Sequence, residues 1–150
     1  MNIVGMVHIN INCSNYQRSL TFYQQLGFEE VWKVPATNTA EVAAAVGMKP
    51  YRVNGAILRL QGAQPPVLID LLEWQQPRDE APPYAHLYHL GLARLALKTT
   101  DIEADYNYLK ECGVDILSVP ATVTMADGHG SHFFCFKDPD GSYIELVENF

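Results

Sequence analysis

The feature that most restricts how this chain can fold is an internal repeat. "GMVHINI" at 5–11 aligns with "GLARLAL" at 91–97, and the same offset of 86 residues carries "NYQRSLTFYQQLGF" (15–28) onto "DIEADYNYLKECGV" (101–114), placing Gly27 on Gly113. "VLIDLLE" (67–73) matches "SYIELVE" (142–148) at an offset of 75, so the first copy holds 11 more residues between its helix and its last strand. Between the copies runs "QQPRDEAPPYAH", whose three prolines and mixed charge are the composition of an exposed connector. With 150 residues and 48% hydrophobic content, the chain is long enough for one domain with a sizeable core and too short for two unrelated ones. The expectation is a single domain of two modules, about 1–76 and about 89–150, joined by a connector at about 77–88.

Periodicity gives each module its elements. Val7, Ile9 and Ile11 alternate with His8, Asn10 and Asn12, the period of a half-buried strand. "SNYQRSLTFYQQLGF" reads as a helix capped by Ser14 or Asn15, with Tyr16, Leu20, Tyr23 and Leu26 on one face and Gly27 as its stop. The second helix starts at Asp101 and ends at "CGV". Three β-rich runs follow each helix, at about 29–35, 56–61 and 67–74, then at 115–119, 131–137 and 142–148. Each module is therefore βαβββ, and "DPDG" at 138–141 marks a hairpin between the last two strands. The extra residues fall in "ATNTAEVAAAVGMKPYRVNG", where "TAEVAAAVG" reads as a short helix from Thr39 to Gly47 that could serve as a lid or as packing support.

The fold class expected is α+β: two βαβββ modules whose curved mixed sheets pair around a shared cavity, each sheet covering one face with its own helix. Parity assigns the other face. Ile69 and Leu71 share the helix side and leave Asp70 opposite; Ile144 and Leu146 do the same for Glu145, and His8 and Arg94 fall on the side of the carboxylates. The repeat-related pairs His8 with Arg94, and Asp70 with Glu145, are thus expected to face the cavity. Glu73 and Glu148 have the opposite parity and read as solvated strand-end charges, and His86 and His89 as surface residues of the connector. "DGHGSH" places His129 and His132 in a glycine-rich loop near the cavity mouth, where His132 could act on a substrate as acid, base or ligand. Trp32, Tyr51, Trp74, Phe134 and Tyr143 are candidates to line the cavity or simply to fill the core.

Charge narrows the partners. A net charge of −7 with no basic run argues against nucleic acid or an anionic membrane. "MNIVGMVHIN" lacks the features of a secretory signal and no apolar stretch reaches membrane-spanning length, so a cytoplasmic protein is expected. Three widely spaced cysteines, Cys13, Cys112 and Cys135, read as small buried hydrophobes.

The motifs "VHININCSNYQRSLTFYQQLGF" and "HFFCFKDPDGSYIELVE" together resemble the vicinal oxygen chelate superfamily, which contains glyoxalase I, bleomycin-resistance proteins, extradiol dioxygenases and methylmalonyl-CoA epimerase. The resemblance spans essentially the whole chain. It implies a divalent ion (Mn, Fe, Ni or Zn) held by His8, Asp70 and Glu145, and a homodimer. Arg94 stands where a second histidine usually sits. A guanidinium has no lone pair for a metal. Either the remaining three residues hold the ion and Arg94 orients an anionic substrate, or Arg94 supplies the positive charge itself and no metal is needed.

Three functional classes follow. The first is an isomerase, epimerase or lyase that stabilises an enolate or oxyanion of a small carbonyl or phenolic substrate by the metal or Arg94 while Glu145 or His8 moves a proton. His132, Trp74, Tyr143 and Tyr51 are then candidate substrate contacts, and extradiol-type dioxygenase chemistry is the less favoured variant. The second is a metal-free binder that sequesters an aromatic or hydrophobic metabolite or antibiotic. The third is a structural or regulatory domain in which Arg94 only neutralises a buried carboxylate.

Overall fold

A computed structural model describes residues 1–150 and divides into two compact units, Met1–Ala81 and Pro82–Phe150, the division falling inside the proline-rich connector. The first unit contains β1 (Ile9–Asn12), α1 (Tyr16–Gln25), β2 (Phe28–Lys33), α2 (Ala40–Ala45), β3 (Arg52–Leu60) and β4 (Leu68–Gln76). The second contains β5 (Arg94–Lys98), α3 (Ile102–Glu111), β6 (Asp115–Ile116), β7 (Ala121–Thr124), β8 (Gly130–Lys137) and β9 (Tyr143–Asn149). The first sheet has the order β1-β4-β3-β2 and the second β5-β9-β8-β6, with β7 also pairing to β8. In each sheet the first strand lies parallel to the last and the remaining pairs are antiparallel, so both are mixed sheets of the same plan.

The two main helices start in the same way. Asn15 is the N-cap of α1 and accepts from Arg18 N at 2.9 Å, and Asp101 caps α3 by accepting from Ala104 N at 3.0 Å. A second acceptor reaches each helix from the end of its sheet: Glu73 Oε2 takes Tyr16 N and Glu148 Oε2 takes Ile102 N, both at 3.0 Å. Glu73 and Glu148 are thus not solvated strand-end charges. Their helix-side parity brings a carboxylate to the positive end of a helix, where it satisfies an orphan N–H and the helix dipole together. Gly27 and Gly113 end the helices with φ of 87° and 74°, a backbone that a side chain would strain.

The cores lie between each helix and its sheet. Tyr23, Leu58, Ile69, Leu71 and Ala56 are fully buried in the first unit, and Phe136, Phe134, Ile144 and Leu109 nearly so in the second. Tyr106 meets Phe134 edge-on at 5.5 Å, fixing α3 against β8. The hairpin at 138–141 is held by Asp138, only 4% exposed, whose Oδ1 accepts from Asp140 N and Ser142 N.

Several boundaries differ from expectation, among them the 115–119 run, which pairs only over Asp115–Ile116. The first strand begins at Ile9, where its pairing with Ile69 of β4 starts, and residues 1–8 are outside regular structure. β3 starts four residues earlier than its apolar run, at Arg52, since Arg52–Gly55 still finds partners along β4. β7 is an additional strand, exposed along its length and paired by backbone to β8, so it lacks the alternating burial that marks a strand in sequence. The 131–137 run extends back to Gly130, so His132 belongs to β8, as that run implied, and not to the glycine-rich loop. Of the cysteines, Cys13 is buried, Cys135 half-buried and Cys112 exposed, so Cys112 is not a core residue. No helix is long and apolar enough to cross a membrane.

Candidate functional site

In the second unit Glu145 sits at the centre of the sheet face opposite α3. Its register partners are Ala96 on β5 and Cys135 on β8, and its residue is 7% exposed. A buried carboxylate needs a partner. It has one: Arg94, two residues up β5 from Ala96, reaches diagonally across the parallel pair and donates from Nε to Glu145 Oε2 at 2.7 Å. The hydrogen bond and the carboxylate's charge both hold the guanidinium above its usual range, and burial together with the Glu145 charge pushes the Cys135 thiol up. Arg94 keeps 44% of its side chain exposed, and its two Nη groups make no hydrogen bond within the chain. The result is an anchored cation presenting free N–H donors beside an anchored base.

Tyr143 lies on the same face, opposite Arg94 in register, and its hydroxyl donates to Ala85 O at 3.0 Å. His132 does not share this face. It has the parity of Phe134 and Phe136, pairs with Thr122 through Nδ1 at 2.8 Å, and lies 4.7 Å from the Phe150 ring on the helix side. Phe134 is likewise core. His129 is exposed in the turn before β8, and His86 and His89 are exposed and stacked on Tyr88 and Tyr84 in the connector.

In the first unit Asp70 occupies the corresponding place, between Asn10 on β1 and Ile57 on β3. His8 precedes β1 and brings Nε2 to 3.9 Å from Asp70 Oδ2, an ion-pair distance too long for a hydrogen bond. Asp70 Oδ1 is buried without a partner, and burial pushes the carboxyl up, opposed only by His8. Further along the same face Trp74 donates from Nε1 to Asn12 Oδ1 at 2.8 Å and meets the Tyr51 ring at 4.8 Å.

The metal implied by the resemblance can be tested on this donor set. Arg94 has no lone pair to give and holds Glu145 Oε2, so the second unit offers a metal one free carboxylate oxygen where the resemblance implies two ligands. The first unit contributes His8 and Asp70, and within neither unit do three His, Cys, Asp or Glu side chains gather in ligating geometry. The chemistry this arrangement can perform with its own residues is oxyanion binding by Arg94 and proton exchange with Glu145.

One feature of the site was hidden in the sequence, and one role outside it was missed despite a signal. Cys135 flanks Glu145 only once β8 and β9 are in register. The helix-capping roles of Glu73 and Glu148 did have a signal, their equal offset of 75 combined with helix-side parity.

Comparison with known proteins gives a consistent picture. The family model described as the Glyoxalase/Bleomycin resistance protein/Dioxygenase superfamily matches residues 5–146. Among solved structures, a glyoxalase family protein from Bacillus cereus superposes with a TM-score of 0.81 at 16% identity, covering 100% of this chain and 97% of that one. A glyoxalase family protein from Enterococcus faecalis is 28% identical with a TM-score of 0.63, covering 96% and 97%. A genomically encoded fosfomycin resistance protein from Listeria monocytogenes gives 0.61 at 16% identity, covering 98% and 94%. No curated protein matches the chain.

Proposed function

Because the chain belongs to the Glyoxalase/Bleomycin resistance protein/Dioxygenase superfamily, we propose that it is a small-molecule enzyme that moves a proton on a carbonyl or phenolic substrate at the Arg94–Glu145 pair. The observation that carries this reading is the 2.7 Å contact that fixes Arg94 by Nε alone and leaves both Nη groups for a ligand. Bound there, a substrate carbonyl oxygen accepts from Nη. Glu145 removes the proton from the neighbouring carbon, the C–H electron pair moves into the enolate, and the developing oxyanion is met by a charge already in place. Return of the proton to a different carbon, or to the other face of the same one, gives isomerisation or epimerisation, with atoms and charge balanced by the one carboxyl. In this reading Arg94 supplies the positive charge and the chemistry runs without a metal.

The test offers α-keto acids and catechols in D2O, with fosfomycin as a probe of binding alone because one neighbour of this fold is a fosfomycin resistance protein. Binding is read by thermal shift and loss of the C–H proton by NMR. Support is one class that binds the native protein, fails to bind Arg94→Met, and exchanges its proton only when Glu145 is present. Tight stoichiometric binding without exchange would favour sequestration instead, a reading that uses the same Arg94 donors.

A further inference from the structure

The second sheet ends in an edge with spare backbone groups. β7 pairs with β8 and has no strand on its other side. The ladder decides which groups are spare. Gly130 exchanges both of its backbone bonds with Phe150, at 2.9 and 3.0 Å, so it faces β9 and forms a non-hydrogen-bonded pair with Thr124 of β7. Alternation then turns Ala121 and Val123 towards β8, and turns the N–H and C=O of Thr122 and Thr124 outward. Met125 N, bonded to His129 O at 2.7 Å, continues the inward set.

Such an edge accepts another strand unless charge or a bulge blocks it. The opposite edge of the same sheet, β5, carries Arg94 and Lys98. β7 carries no charge, and neither does any residue from Ile116 to Ala126, in a chain with 18% charged residues and a net charge of −7. Copies of so acidic a chain repel one another, and an uncharged strip is where they approach at least cost. The strip is also apolar, with Leu117, Val119, Val123 and Met125 all exposed. These four present roughly 400 Å², within the range of patches that mark interaction sites. Two such strips, with Thr122 and Thr124 of each copy, come to about the 1,000 Å² that a specific interface needs.

We propose that β7 pairs antiparallel with β7 of a second copy of this chain, about a twofold axis at Val123. In that register Thr122 opposes Thr124 of the partner subunit, and Thr124 opposes Thr122 of the partner subunit, so all four outward N–H groups find carbonyls. Pro120 helps to select it: an axis at Thr122 would set Thr124 against Pro120, which has no N–H to give. An axis at Thr124 would set Thr122 against Ala126, in the turn that closes the β7–β8 hairpin. With the axis at Val123, the two valines form a non-hydrogen-bonded pair with Cα atoms about 4.5 Å apart, flanked by Met125 against Ala121. One face of the seam is then apolar and the other is threonine against threonine, both favourable cross-strand pairings. The seam uses neither Arg94 nor Glu145 and is independent of the reaction proposed there.

The test is sedimentation velocity of the whole chain from about 1 to about 100 µM, with amide exchange at both ends of that range. A dimer is expected, with the Thr122 and Thr124 amides slowed at least tenfold at the high concentration and those of β5 unchanged. Val123→Lys sets two ammonium groups against each other on the axis and leaves every bond to β8 in place; it is expected to weaken the dimer at least a hundredfold. Val123→Cys in a Cys112→Ser background is expected to link two copies at position 123 on oxidation by glutathione disulfide, because Cα atoms about 4.5 Å apart are within disulfide reach. This second variant reads the seam even where Val123→Lys disturbs β7. A chain that stays monomeric across the range overturns the proposal, as does the absence of a link in Val123→Cys. A dimer that withstands Val123→Lys overturns it too, by showing that the copies assemble through another surface.

Discussion

Removing Arg94 while leaving Glu145 in place isolates the interaction on which the candidate site depends. Glu145 is 7% exposed and has Arg94 Nε, at 2.7 Å, as its hydrogen-bond donor. Two unit charges about 4 Å apart at an effective dielectric near 20 attract by about 4 kcal/mol. Because 44% of the Arg94 side chain is exposed, solvent screening and side-chain entropy take a large part of that. A charged hydrogen bond to a half-exposed donor leaves about 1–3 kcal/mol, much of it the penalty of a buried carboxylate left alone. Arg94→Ala should therefore lower stability by about 2 kcal/mol, or about 4–8 °C in Tm for a chain of this size. Glu145→Gln removes the charge that needs a partner, so adding Arg94→Ala to it should cost less than about 0.5 kcal/mol. The assay is urea unfolding of all four corners of the double-mutant cycle at neutral pH. A coupling energy below about 0.5 kcal/mol, with Arg94→Ala as stable as the native chain, would refute the reasoning that the pair is anchored and pre-organised.

Three further outcomes follow from the same geometry. Asp70→Asn should raise stability at neutral pH: burial raises the folded carboxyl's pKa above its unfolded value, so the folded state holds its proton longer and native stability falls as pH rises through that window, and Asn removes the fall; a pH series of thermal melts on both proteins checks the sign. Glu73→Ala and Glu148→Ala should each cost about 1 kcal/mol by freeing a first-turn N–H at Tyr16 or Ile102, read as faster amide exchange confined to α1 or α3 respectively. Gly55→Ala should cost about 1–3 kcal/mol, because its new methyl would lie 2.3 Å from Leu71 O and 2.6 Å from a Leu72 methyl and the β3–β4 pair must shift; equal midpoints in urea would contradict it.

The parts of the fold that depend on short-range pattern were legible. Thr39 and Gly47 framed α2 in the sequence and do so in the structure, with Thr39 as cap and Gly47 at φ 72°. Period-two parity correctly separated Ile69 and Leu71 from Asp70, and Ile144 and Leu146 from Glu145, because each central strand has one helix-covered face. What was not legible depends on partners distant in the chain. His132 lies in the sequence both in a glycine-rich stretch and in an apolar run, and pairing with Thr122 and Glu148 settles it in β8 on the helix side. The register shift between Glu30 and Trp32 leaves no mark in "FEEVWK", since it arises from how β2 meets β3. Glu73 and Glu148 looked solvated because a charge at a strand end normally is, and the helix N-terminus that receives them is about 50 residues away in one direction or the other.

The most direct test of the functional account is deuterium exchange into a bound carbonyl or phenolic ligand by chain stripped of metal with a chelator, compared with the same preparation of Glu145→Gln. The account predicts that exchange survives stripping and is lost in Glu145→Gln, since Arg94 already supplies the charge that meets the oxyanion. Exchange that disappears on stripping and returns with one equivalent of Mn, Fe, Ni or Zn would contradict it, and would mean that Arg94 serves a metal site instead of replacing one.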